Sequence, residues 1–314
     1  MIINIYNLEE VERDMKHHPK VLAVLLGLFL LAQFLGLAIL QMYIDPMRSA
    51  DEGKTVFTEL PIGERPPLDE DTSYVPLIGA VLIGTVLLLV LIKFNLHWVW
   101  KIWFLIAVVV SLSIAFGAFL WKELAVGLAI GLGLWKIFKP NFYVHTITEL
   151  FSYGGLAVIF VPLLNIWSVS VLLVLIGIYD AYAVWKSKHM ITLAKSQTEA
   201  KVFAGLLLPY KDGAIKPKMN HVIHHADVRV KKMPMAIRTA MLGGGDIGFP
   251  LIFAGVVLKE MGVWQALVIP FFALLGLGFL LWYGDEHKFY PAMPFIGGGC
   301  FIGLGVVWLL QILI

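Results

Sequence analysis

The chain has 314 residues, of which 59% are hydrophobic and 15% charged, with a formal net charge of +2. A soluble domain carries roughly 25% charged residues, so this balance excludes an ordinary water-soluble globule. The small positive charge does not point to nucleic acid, because the basic residues fall between apolar blocks, and a single cysteine, Cys300, excludes an internal disulfide.

A spanning helix needs about 20 mostly apolar residues. Seven blocks reach that length and two shorter ones are plausible. In chain order the predicted spans are Val21–Ile44, Val75–Phe94, Trp98–Leu120, Leu124–Phe138, Leu150–Leu164, Ile166–Trp185, Ile237–Leu258, Val263–Tyr283 and Phe289–Ile314. The fold class is therefore an all-α membrane protein of about nine transmembrane helices. Residues 1–20 mix Glu9, Glu10, Glu12 and Asp14 with Arg13, Lys16 and Lys20. The block that follows is too long for a signal-peptide core and lacks a small-residue cleavage site, so it reads as the first span. The fourth and fifth spans are short and can also be read as re-entrant. Trp98, Trp121, Trp135, Trp185 and Trp282 lie near span ends, as in an interfacial belt. Gly127, Gly131 and Gly133 give the fourth span a small-residue packing face. Glu149, at the edge of the fifth, is expected to snorkel.

Two loops are long. Asp45–Tyr74 is acidic and proline-rich, and Lys186–Ala236 holds ten Lys/Arg residues. The positive-inside rule puts the second loop in the cytoplasm. Nine spans then leave the N-terminus cytoplasmic and the C-terminus outside. Lys93, Lys101, Lys136 and Lys139 fall inside, while Lys122 and Lys259 flank outside turns. The expected organisation is a six-span bundle over 1–185, a cytoplasmic basic loop over 186–236 and a three-span bundle over 237–314. Within the loop, Val202–Tyr210 is expected to lie on the membrane interface, with a strand edge for an extended substrate as the alternative. His221, His224 and His225 read as solvated loop histidines rather than metal ligands.

Of 22 acidic residues, only Asp180, in LIGIYDAYAVW, and Asp246, in MLGGGDIGFPLIF, fall deep inside apolar spans. Each costs about 2.5–3.5 kcal/mol at a helix centre, so such residues are kept mostly where they line a polar cavity or pathway. A structural hydrogen bond or a snorkelling acid is the plainer alternative. Asp180 precedes Lys186 by six residues and Asp246 follows Arg238 by eight. At helical rise those separations put the acids about 9 Å and about 12 Å below the same face. Two carboxyls at one level can share a proton, activate water and stabilise a gem-diol, with no metal or cofactor. Gly243, Gly244, Gly245 and Gly248 are expected to loosen the helix around Asp246, and Pro250 removes a hydrogen bond to its carbonyl. Pro291-Ala292-Met293-Pro294 should hold the start of the last span extended, with free carbonyls.

Tyr179-Asp180, Gly243-Gly244-Gly245-Asp246 and Pro291-Ala292-Met293-Pro294, in that order, resemble the Tyr-Asp, Gly-x-Gly-Asp and Pro-Ala-Leu-Pro motifs of the presenilin and signal peptide peptidase family. With its short loops the chain is most similar to the archaeal homologues. Met293 replaces the family's Leu, a nearly volume-conserving change. The resemblance implies an intramembrane aspartyl protease with Asp180 and Asp246 as its catalytic pair, on spans six and seven. It implies that Gly243, Gly245, Pro291, Ala292, Met293 and Pro294 shape the site and that Tyr179 positions the first acid, although an interfacial tyrosine reads equally well. Its substrates would be transmembrane helices or signal-peptide remnants, in an archaeal cell membrane, with no cofactor, no metal and no nucleic acid. Membrane lipid is the other implied partner, and a homo-oligomer stays open. The rival is an ion-coupled transporter using the same two acids.

Overall fold

The structure is a computed structural model; it describes residues 19–186, 203–211, 237–283 and 290–313. His221, His224 and His225 lie outside the described residues. The helices are α1 (Pro19–Met42), α2 (Pro46–Glu52), α3 (Tyr74–Lys93), α4 (His97–Gly117), α5 (Lys122–Phe138), α6 (Phe142–Phe160), α7 (Ile166–Trp185), α8 (Gly244–Met261), α9 (Val263–Tyr283) and α10 (Met293–Leu313). Two strands, β1 (Gly205–Lys211) and β2 (Ile237–Gly243), precede α8.

Among the described residues, seven helices are long and apolar enough to cross a membrane: α1, α3, α4, α6 with its 3-10 extension, α7, α9 and α10. The other two long helices fall short for local reasons. α5 has 17 residues. α8 has 18 but carries Asp246, Lys259 and Glu260. All five predicted belt tryptophans are exposed.

Four elements differ from the sequence expectation. The fifth span starts at Phe142 rather than Leu150, and is capped by the Asn141 side chain accepting from the Tyr143 N–H at 3.0 Å. Its first turns carry His145, Thr146, Thr148 and Glu149, which mask the span in a hydropathy reading. Glu149 does not snorkel: it is buried and ion-paired with Lys136, which is itself buried rather than in an inside loop. Ile237–Leu258 is not one helix, because Ile237–Gly243 is a strand pairing antiparallel with Gly205–Lys211. The expected interfacial segment is thus a strand from Gly205 onward. The last helix begins at Met293, not Phe289.

One hydrophobic core runs from Leu25 and Phe29 of α1 through α6 and α7 to Ile296 and Leu304 of α10. Small residues let these helices approach closely. A β-carbon on Gly155 of α6 would stand 1.9 Å from the Ser111 carbonyl oxygen of α4. One on Gly276 of α9 would stand 2.2 Å from the Phe295 carbonyl oxygen of α10. The predicted glycine face of α5 is narrower than expected: Gly133 packs on Val109, while Gly127 and Gly131 have nothing within 4 Å. Because the obstacle at Gly155 is backbone, Gly155→Ala is expected to destabilise by about 1–3 kcal/mol, as overpacking does. Thermal unfolding in detergent checks this, with Gly131→Ala as the unaffected control.

The loop after α1 is ordered over the helix ends opposite the two acids. Asp45 caps α2 by accepting from the Met47 and Arg48 N–H groups, both at 3.1 Å. Tyr43 donates to the Ile114 carbonyl at 2.7 Å, and burial pushes its phenol up to about 12, so it stays a donor at ordinary pH. Lys259 of α8 donates to Glu70 at 2.5 Å and to the Leu164 carbonyl at 3.0 Å. Thr55 donates to the Lys259 carbonyl at 2.6 Å, and Glu260 accepts from the Ile166 N–H at 2.9 Å. Asn165 donates to Asp71, and Ser168 to the Glu70 carbonyl. The start of α7 and the end of α8 are thereby tied to one strap.

Candidate active site

Asp180 lies near the C-terminal end of α7 and Asp246 in the first turn of α8. Both are buried, at 7% and 8% exposure. α7 packs against α8 and α10, and the two carboxyls are close enough to interact electrostatically. The sequence placed the acids at one level by counting helical rise from Arg238. That arithmetic does not hold, since Arg238–Gly243 is strand. The acids meet because β2 delivers the chain to a helix that starts two residues before Asp246.

The glycines therefore do something other than loosen a helix. Gly243 is the N-cap of α8 and Asp246 stands at N3, with its carboxyl folded back toward Gly243. A β-carbon on Gly243 would stand 3.1 Å from an Asp246 carboxyl oxygen. The Gly244 N–H bonds to the Ala204 carbonyl at 3.0 Å and joins the helix start to the approach to β1. A β-carbon there would meet that same oxygen and the Tyr153 hydroxyl, each at 3.2 Å. Gly245 is exposed, and Gly248 has nothing within 4 Å, so this face of α8 opens beside the acid. The helix continues through Pro250 without a break.

The Pro-Ala-Met-Pro segment also acts differently from expectation. The Ala292 carbonyl is not free, since it accepts from the Phe295 and Ile296 N–H groups at 3.1 Å each. The segment instead presents a donor. The Met293 N–H donates to Asp180 at 3.1 Å. Pro294 is the second residue of α10, where its missing N–H is no loss. It sits against α7: a β-carbon on Gly177 would lie 3.8 Å from the Pro294 Cα. Asp180 thus caps the start of α10, and the Asp246 carboxyl lies over the start of α8. Both carboxyls stand where orphan N–H groups and the positive end of a helix dipole point.

The Tyr179 hydroxyl donates to Thr85 of α3 at 3.1 Å, which ties α7 to α3.

Several polar groups escaped the sequence reading. Gln33, fully buried in α1, donates to the Ile247 carbonyl at 2.9 Å, next to Asp246. Lys136, Glu149 and Tyr153 form a buried chain: Lys136 pairs with Glu149, and Tyr153 donates to Glu149 at 2.7 Å. A His145 ring nitrogen lies 2.8 Å from the Gly205 carbonyl oxygen. His145, Glu149 and Tyr153 recur every four residues along α6, a spacing visible in the sequence that marks one helix face.

Two buried carboxyls thus lie at the starts of α8 and α10, within electrostatic reach of each other. The sequence profile of the family described as signal-peptide peptidase, presenilin aspartyl protease matches residues 26–312. The chain belongs to this family and is an intramembrane aspartyl protease. Among solved structures it is similar to a presenilin family intramembrane aspartate protease in a C222 crystal form. The TM-score is 0.59 at 20% identity, covering 92% of this chain and 99% of that one. A P2 crystal form of a presenilin family intramembrane aspartate protease gives 0.58 at 21% identity, covering 92% of this chain and 98% of that one. Comparison with curated proteins gives no match. Nothing found supports a transporter.

Proposed function

We propose that Asp180 and Asp246 are the catalytic pair, on the sixth and seventh of nine spans, and that they hydrolyse peptide bonds in transmembrane helices or signal-peptide remnants. The observation that carries this is that two buried carboxyls, at the starts of α8 and α10, lie within electrostatic reach of each other. The ionised member takes a proton from water as that water attacks the peptide carbonyl. The protonated member hydrogen-bonds the carbonyl oxygen and stabilises the gem-diol. Proton return to the nitrogen breaks the C–N bond and releases the amine. Every atom in this sequence comes from water, the peptide and the two acids.

A helical substrate must unwind first, because its carbonyls are bonded internally. Among the described residues the sheet has only two strands, and an extended substrate segment can add to its edge. Gly245 and Gly248 leave room for that segment beside Asp246. Gly243, Pro291, Ala292, Met293 and Pro294 shape the site through the backbone, and Tyr179 supports it by tying α7 to α3. The basic loop sets the acid-bearing ends toward the cytoplasm, with the N-terminus inside and the C-terminus outside. The bundles 1–185 and 237–314 contribute one acid each.

The test is to incubate the purified protein in detergent with a labelled transmembrane peptide. Cleavage within the apolar segment is expected, with a bell-shaped pH profile and two macroscopic pKa values belonging to the pair. A hydroxyl-bearing peptide isostere should bind more tightly than the matched substrate. Absence of cleavage, together with coupled ion flux in liposomes, would overturn the reading.

A further inference from the structure

Four titratable side chains outside the acid pair lie in the membrane region beside it. Lys136 closes α5, and His145, Glu149 and Tyr153 line one face of α6. Lys136, Glu149 and Tyr153 are each 4% exposed. Buried charge of this kind is expensive unless paired, and a neutral apolar set of similar volume would serve stability as well or better. Stability alone therefore does not account for it.

Its placement does. The Lys136 ammonium pairs with one Glu149 oxygen and lies 5.2 Å from the centre of the Phe104 ring. The other Glu149 oxygen accepts from Tyr153, which fixes the direction of the Tyr153 hydroxyl. That hydroxyl abuts Gly244, where a β-carbon would stand 3.2 Å from it, and it lies within electrostatic reach of Asp246. On the same face His145 holds the Gly205 carbonyl, beside the Ala204 carbonyl that receives the Gly244 N–H. The charge pair is thus anchored on two helices, and its far end rests against the first residue of α8.

We infer that Lys136, Glu149 and Tyr153 are positioning residues: they form a rigid strut that fixes the first turn of α8 and, through it, the Asp246 carboxyl. This rests on the reading of Asp246 as one of the catalytic pair. Tyr153→Phe removes only the hydroxyl and makes the span more apolar, so insertion should be undisturbed. A small displacement of a reacting group is enough to slow chemistry without weakening binding, so kcat should fall roughly tenfold or more. KM should stay within about twofold, the pattern of an interaction that matters in the transition state. Hydrogen exchange of residues 240–250 should accelerate while the other helices keep their rates. The double variant Lys136→Met, Glu149→Leu removes both charges together and leaves no lone buried charge. It should show the same kcat loss and the same local exchange. Wild-type kcat and exchange in both variants would overturn the strut. A uniform rise in exchange with kcat and KM both disturbed would reduce it to general packing and overturn it equally. If the wild-type protein cleaves nothing, the catalytic reading fails, and the exchange at 240–250 still decides whether the strut holds α8.

Discussion

Asp180→Asn and Asp246→Asn are each expected to abolish cleavage of a transmembrane peptide by the purified protein. Each carboxyl must hold or accept a proton that an amide cannot, and removal of a positioned acid or base slows a reaction by about 10²–10⁴-fold. Here the loss should lie at or beyond the upper end, because in the proposed mechanism the two acids share one proton and neither can act alone. The fold should survive. At position 180 an amide oxygen can still accept from the Met293 N–H at the start of α10. A neutral amide also sits in the membrane region at lower cost than a carboxylate. Size-exclusion profiles and thermal unfolding should match wild type while product formation disappears. Robust cleavage by either folded variant would remove that acid from the mechanism.

The glycines before Asp246 should separate two effects. Gly243→Ala places a methyl 3.1 Å from an Asp246 carboxyl oxygen, so the carboxyl must move. The shift needed is a few tenths of an ångström, and since about 1 Å of misplacement costs about 10²-fold, a roughly several-fold loss is expected, in kcat. At Gly245 an added β-carbon would meet only the Phe249 ring, at 3.7 Å, an ordinary contact. Gly245→Ala should therefore cleave nearly as wild type. Gly245→Leu should fill the open face beside the acid and raise KM, because it obstructs the approach of substrate backbone. A kinetic comparison of the three variants checks the assignment. Equal behaviour of Gly243→Ala and Gly245→Ala would show that neither position controls the acid.

The long apolar spans were legible because hydropathy over about 20 residues is a strong signal. Ile166–Trp185 and Val263–Tyr283 fall where the sequence put them. The acids were legible for the same reason inverted: a carboxyl in an apolar run is conspicuous. What stayed hidden depends on partners distant in sequence. Glu149 read as an interfacial acid because Lys136, thirteen residues earlier, is a partner only once α5 and α6 pack. Ile237–Gly243 read as helix because its apolar residues suit either period, and only pairing with Gly205–Lys211 decides for strand. That choice changes the meaning of the glycines. In a helix interior they would be weak points, whereas at a strand-to-helix junction they make room for the acid that follows. The donor on Asp180 was out of reach for a similar reason, since a backbone N–H leaves no mark in a side-chain motif.

The strap across the ends of α7 and α8 has a mechanical meaning. Lys259, Glu260, Asn165 and Ser168 tie those ends to the loop that carries Glu70 and Asp71. At the other end, each helix carries one of the two acids. The two helices are therefore built like tweezers, pivoted at the strap, with one tip held at the Met293 N–H and the other at the Ala204 carbonyl. Fifteen residues separate Asn165 from Asp180, a lever arm of about 22 Å at helical rise. A tilt of about 5° at the pivot moves the tip by about 2 Å, enough to pull the carboxyls apart or bring them into register on one water. The strap therefore shares control of the spacing between the acids with the contacts at the tips, although its residues never touch the substrate bond.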